Sequence, residues 1–318
     1  MLNNGSFEYC TYLKEGQRLG FKYFHENKHA IKPLVLAVTA IILAPVISGS
    51  NGIIFWAILR RPALRSPANL LICWLSGIDT LVGLLYLPLF AAGPLVLNTK
   101  YFCLLVVLRS FKGWVFCTAS FLTMVTISCE RYLALFSPLR HTLIITSKRL
   151  LLVVTLIGMT SLLLSSLVFM GATAKALRYS IGTILLAFGL LFISGTYTRI
   201  FKLVRRHHHQ INAQQFVSDT NNARQRKLAV TMAYVIGVSL VCYLPMGIVL
   251  VDIVIQGEFT VQNTGFFVLS ELLFAMSSLL NPLIYCLKNL EIRCAVIQLL
   301  RSLKKNGSCS SRTIPSPS

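Results

Sequence analysis

Seven long stretches of this chain hold almost no charge, and that constrains its fold more than any other feature. They run over roughly 33–59, 68–92, 103–129, 150–170, 180–204, 228–255 and 264–287. A helix needs ~20 mostly apolar residues to cross the hydrocarbon core of a bilayer. Only helices and closed barrels can satisfy their backbone there. Each stretch has the length for one crossing and tolerates a few polar residues. The chain therefore reads as an all-α membrane protein, a bundle of seven transmembrane helices. Only 13% of its 318 residues are charged, against about 25% in soluble domains.

Charge sets the orientation. Lys and Arg outnumber Asp and Glu by 30 to 10. The basic residues gather between alternate stretches: Arg60, Arg61 and Arg65; Arg140, Lys148 and Arg149; Arg199 to Lys227; and the C-terminal tail. Short loops rich in Lys and Arg stay in the cytoplasm. The N-terminus is expected outside the cell and the C-terminus inside, in a multi-pass plasma-membrane protein. The same loops suit anionic lipid. The charge follows topology and not one soluble face, which excludes nucleic acid as a partner.

Four regions follow. Residues 1–32 form an extracellular segment and 33–287 the bundle. Residues 288–304 form an eighth, amphipathic helix on the inner membrane surface, because apolar positions such as Leu290, Ile297 and Leu300 alternate with Arg and Lys. Residues 305–318 read as a disordered cytoplasmic tail with serines open to phosphorylation. The start, MLNNGSFEYC, lacks the basic and apolar regions of a secretory leader. Asn4-Gly5-Ser6 is a glycosylation sequon on the outer side. Of nine cysteines, only Cys10 and Cys103 can meet outside, as a candidate disulfide. Cys309 is a weaker candidate for palmitoylation. His207-His208-His209 looks like a metal motif, but three adjacent histidines do not share a helix face. They read as the solvated end of helix five.

Polar groups inside a membrane are costly and usually face the bundle interior. Here they recur across the helices: Asn51, Asp79, Ser120, Arg131, Tyr197, Ser277, Ser278, Asn281 and Tyr285. At ~100° per residue, Ser120 and Arg109 fall on nearly the same face of helix three as Arg131. Glu271, Ser278, Asn281 and Tyr285 form one stripe on helix seven. One such residue alone usually bonds a neighbouring helix or its own backbone. The whole set argues for function.

These residues also fall in motifs, and the chain resembles the rhodopsin-like, or class A, G-protein-coupled receptors. The resemblance rests on Asn51-Gly52 in helix one, LSGID ending at Asp79, and Glu130-Arg131-Tyr132 with Pro138 following. It continues through Tyr197 in helix five, Cys242-Tyr243-Leu244-Pro245 in helix six, and Asn281-Pro282-Leu283-Ile284-Tyr285 in helix seven. It implies an orphan receptor, not an enzyme, with a heterotrimeric G protein and arrestin as partners. It implies that Glu130 neutralises Arg131 at rest and that activation frees Arg131 toward Tyr197, Tyr285 and the G protein. Pro245 would permit the kink that helix six uses. It implies no cofactor beyond an allosteric sodium ion at Asp79, Ser120, Ser278 and Asn281, where carboxylate, hydroxyl and amide oxygens suit a hard cation. A neutral hydrogen-bonded core around a protonated Asp79 is the alternative.

The chain departs from the family pattern in several places. Tyr243 stands where Trp is usual, helix four has no Trp, and Gly189 occupies the neighbourhood of the helix-five Pro. The second outer loop is short and has no Cys. Gln225 replaces an acid that often pairs with the helix-three Arg, so a weak lock and appreciable basal activity are expected. The absent Pro and short loop resemble the melanocortin, cannabinoid and lysophospholipid receptor branch.

Ligand classes can be narrowed by the same route. The Ser110–Phe116 segment has no acid for an amine, and helix seven has no Lys for retinal. Leu250 and Ala275 stand near the places where adenosine receptors carry an amide and a His. Arg109, Lys112 and Glu271 remain. Arg109 either anchors an anionic lipid head or peptide carboxylate, or pairs internally with Glu271. A transporter would show internal repeats, and none is present. An intramembrane hydrolase would need a histidine inside the membrane, and all six lie in loops or flanks.

Overall fold

In the computed structural model the backbone is described for residues 31–93, 102–170, 174–211, 220–256 and 261–309. Seven helices there are long and apolar enough to cross a membrane. They are α1 (Ile31–Leu59), α2 (Pro67–Ala92), α3 (Phe102–Phe136), α4 (Ser147–Ser166), α5 (Lys175–Ile211), α6 (Thr220–Gln256) and α7 (Val261–Lys288). An eighth helix, α8, covers Leu290–Cys309. α1 packs on α2, α5 on α6 and α6 on α7, α7 returns to α1, and α3 touches α2, α4, α5 and α6. The site residues therefore converge on the α3 axis.

Local chemistry explains the boundaries. Ser66 caps α2, its hydroxyl accepting from Asn69 N at 3.4 Å, and Pro67 follows at the first helical position. Thr146 caps α4 in the same way through Arg149 N. Asn289 caps α8, accepting from Glu291 N at 3.1 Å and Ile292 N at 3.3 Å. α3 runs seven residues past the apolar stretch, because Glu130 neutralises Arg131 and no backbone bond is lost there. α8 continues beyond Lys304, where the amphipathic pattern stops; propagation adds one bond per residue fixed. α8 docks on the inner end of α1 through Ala57, Leu64, Ala295 and Leu299. Arg61 of that corner donates to Gln298.

Two features are not visible in the hydropathy pattern. The inner loop after Ser137 folds into a short helix, Pro138–Ile144, with Pro138 at its first position. α2 loosens into a π-helical turn over Val82–Tyr86 before continuing as Leu87–Ala92. Gly83 in that turn lies directly on α1: a Cβ there would be 2.6 Å from Ser48 N and 2.7 Å from Ala44 O. Small residues let membrane helices approach this closely.

α3 and α5 meet through rings seated on glycines. The Trp114 ring covers Gly182, where a Cβ would come within 2.7 Å. The Phe121 ring covers Gly189, with Cζ 2.5 Å from the same hypothetical atom. Both pairs step by seven residues along two parallel helices.

Candidate functional site

The Glu130 end of the bundle is built on α3. Arg131 donates through Nη2 to Glu130 Oε1 at 2.5 Å and through Nε to Oε2, and both residues are 2% exposed. Oε1 also accepts from His141 Nε2 at 2.9 Å. His141 belongs to the short inner-loop helix, so the carboxylate ties that helix to α3. Tyr132 stacks on Phe136 at 4.5 Å between ring centroids, and its hydroxyl accepts from Arg199 Nη1 of α5 at 3.3 Å. The Tyr285 hydroxyl is fully buried without a hydrogen-bond partner among the described residues. Such a donor is costly to hold idle.

The middle of the bundle holds one carboxylate. Asp79 Oδ1 accepts from Ser278 Oγ at 2.7 Å, and Oδ2 accepts from Asn281 Nδ2 at 2.8 Å. Asn51 Nδ2 donates to the Ser278 carbonyl at 2.9 Å and to the Ile47 carbonyl at 3.0 Å. Ser120 Oγ and Asn51 Oδ1 are buried without a partner among the described residues. Asn281 presents its nitrogen to Asp79, so it orients the carboxylate and does not itself offer an oxygen in this arrangement. Carboxylate, hydroxyl and amide oxygens of this kind suit a small hard cation. Among the described residues no group of three His, Cys, Asp or Glu side chains could hold a metal.

Above this lies Tyr243 of α6, 1% exposed. Its ring sits 5.5 Å from Phe121 of α3 and 5.7 Å from Phe274 of α7, edge-on to the latter. Its hydroxyl donates to the Cys117 carbonyl at 3.4 Å, a long bond. Pro245 follows two residues later inside α6, and Pro282 lies inside the continuous α7 next to Asn281. Gly189 replaces the expected Pro with a seat for Phe121.

Toward the opposite end of the bundle Arg109 of α3 donates to Glu271 of α7, with side chains 10% and 8% exposed. Of the two readings of Arg109, the internal pair is the one formed here. Its guanidinium carbon lies 4.4 Å from the Phe90 ring centre. Lys112 has no partner among the described residues. Asn4 and Cys10 lie outside the described residues. The side chains of Cys103, Gln225, His207 to His209 and Cys309 do too.

This arrangement matches a known protein family. The family model described as the 7 transmembrane receptor (rhodopsin family) matches residues 50–182 and 172–285. The chain belongs to the rhodopsin family of seven-transmembrane receptors. It is similar to the histamine H2 receptor of Cavia porcellus, 29% identical over 288 residues, covering 84% of this chain and 79% of that protein. The histamine H2 receptor of Homo sapiens is 28% identical over 317 residues, covering 89% and 87%. G-protein coupled receptor 12 of Homo sapiens is 27% identical over 269 residues, covering 79% and 77%. Membership makes the chain a multi-pass plasma-membrane receptor that signals through G proteins, and not an enzyme.

Within this rhodopsin-family receptor, His141 is the site residue that the sequence reading placed in a loop and left without a role. The signal available was Ser137-Pro138, a helix start three residues before it. A hydrogen bond to a buried carboxylate contributes about 1.5–3 kcal/mol. His141→Ala is expected to raise ligand-free G-protein activation several-fold at matched surface expression, read as nucleotide exchange in membranes. An unchanged basal rate would show that the bond does not favour the resting state.

Proposed function

We propose that this receptor rests with Arg131 captured by Glu130 and signals when that capture ends, with the N-terminus outside the cell and the C-terminus inside. The observation that carries the reading is the buried Glu130–Arg131 pair at the inner end of α3. Removing one partner of such a pair leaves an uncompensated buried charge, at about 3–5 kcal/mol. The pair therefore persists until α6 moves and Arg131 gains other neighbours. Tyr197 and Tyr285 are the groups nearest to that task, and Tyr132 is tied to Arg199 on α5. Tyr243, Pro245, Asn281 and Pro282 carry the movement. Arrestin would dock on the same inner face. Asn4 would carry a glycan, and a Cys10–Cys103 bond would tie the N-terminal segment to α3.

Arg131→Ala tests the reading. Ligand-free nucleotide exchange is expected to fall to the level of untransfected membranes, with surface expression kept. A variant that signals like the parent would remove Arg131 from the mechanism.

The oxygens around Asp79 support a sodium ion that favours the resting state. Replacing N-methylglucamine with sodium in the assay is then expected to lower basal exchange at least two-fold. Asp79→Asn should erase the difference; a sodium effect that survives Asp79→Asn would place the ion elsewhere. The histamine receptors' amine is not carried over, because α3 offers no acid in Ser110–Phe116 and Glu271 is held by Arg109. An anionic lipid or a peptide carboxylate at Arg109 would have to break that pair. Lys112 stands one turn from Arg109, without a partner among the described residues, and can add a second cation.

A further inference from the structure

We propose that the ligand of this receptor is a small zwitterion, whose carboxylate takes Arg109 and whose ammonium takes Glu271 as the internal pair opens. The inference rests on the receptor reading above and names the chemical class that the outer site accepts. Arg109 stands seven residues into α3 and Glu271 ten residues into α7, so the pair lies ~10–15 Å below the helix starts. Both side chains are about nine-tenths buried. The neighbours around the pair are Tyr86, the Phe90 face and the backbone at Gly93, whose missing Cβ would lie 3.7 Å from Arg109 Nη1. The Tyr86 phenol hydrogen-bonds within the pair as well, and Lys112 stands one turn further along α3.

That environment decides which ligands fit. A ligand with only an anion would satisfy Arg109 and strand Glu271; one with only a cation would do the reverse. Each leaves a buried charge without compensation, the arrangement that buried pairs tolerate least. A zwitterion restores a partner to both residues and keeps the net charge of the site unchanged. Its carboxylate meets the guanidinium through two parallel N–H bonds, and its ammonium meets the Glu271 carboxylate. The internal pair thus occupies the place that such a ligand would fill.

The site also touches the part that moves. Tyr86 closes the π turn of α2 and is 1% exposed. Its ring lies 6.4 Å from Phe274, nearly edge-on, and Phe274 lies 5.7 Å from Tyr243. Glu271 and Phe274 are one turn apart on α7. Separating Arg109 from Glu271 therefore displaces rings that end two residues before the α6 proline.

The full-length receptor, in detergent without G protein, is titrated with glycine, 3-aminopropanoate, 4-aminobutanoate and 5-aminopentanoate. Each is set beside the carboxylate and the amine of equal length, and thermal unfolding is read. At least one amino acid of the series is expected to raise the melting temperature at a concentration about ten-fold below either singly charged analogue. In Glu271→Gln the plain carboxylate should match the zwitterion, and in Arg109→Gln the plain amine should. No stabilisation by any member, or a singly charged analogue as effective as its zwitterion in the parent chain, overturns the proposal. The parent comparison decides alone, so a variant that fails to fold does not blur it. The readout contains no G protein, so failure here is separable from failure of the Arg131→Ala test.

Discussion

Gly83→Ala is expected to leave little receptor at the cell surface. The new methyl would sit 2.6 Å from Ser48 N and 2.7 Å from Ala44 O. Both are backbone atoms inside α1, so neither can rotate away. α1 and α2 would have to separate along their whole contact. Overpacking of this kind costs about 1–3 kcal/mol. Interhelical bonds between membrane helices contribute only about 0.6–2 kcal/mol each, so few local contacts could offset it. Gly49→Ala is the control, because a Cβ there meets nothing within 4 Å on the same helix pair. Surface immunostaining of intact cells checks the result. Equal staining for the two variants would show that α1 can yield.

The second large effect is expected at Gly189. A side chain there must displace the Phe121 ring, which is 3% exposed and held on its other side by Tyr243. Gly189→Leu should lower the melting temperature of the purified receptor by several degrees, consistent with a loss of about 1–3 kcal/mol. It should also alter basal exchange, since the ring it moves touches the α6 switch. Gly195→Leu, which opens on empty space, should do neither. Trimming the ring in the double variant Phe121→Leu/Gly189→Leu should recover at least half of the lost stability. If the double variant is no better than Gly189→Leu alone, the ring is not the obstacle.

The architecture was legible in the sequence because the bilayer leaves so few choices. A run such as 228–255 has no soluble alternative, and the polar residues that interrupt the runs fall on the stripes that face inward. Asp79, Ser278 and Asn281 meet as their phases imply. Three details were not legible. The π turn at Val82–Tyr86 needs one extra residue in a turn, and hydropathy cannot register that. Asn281 offers nitrogen to Asp79, a choice made by the local hydrogen-bond pattern and not by residue type. The Arg109–Glu271 pair, 162 positions apart in the chain, was legible as one of two readings, because periodicity puts both residues on inner faces and their charges are opposite. His141 is the third detail. Its partner lies across a loop that reads as irregular until Pro138 is recognised as a helix start.

The aromatic rings seated on Gly182 and Gly189 have a mechanical consequence. Trp114 and Phe121 fit two sockets spaced by the same seven residues, so α3 and α5 share one register. Sliding either helix by a turn would drive both rings into side chains. The pair behaves as a stator. α6 has no such indexing: a Cβ at Gly237 meets nothing, and one at Gly247 meets only the flexible end of Leu186 at 3.0 Å. In the proposed mechanism α6 would be the rotor, turning on its proline while the frame against which it turns keeps its alignment.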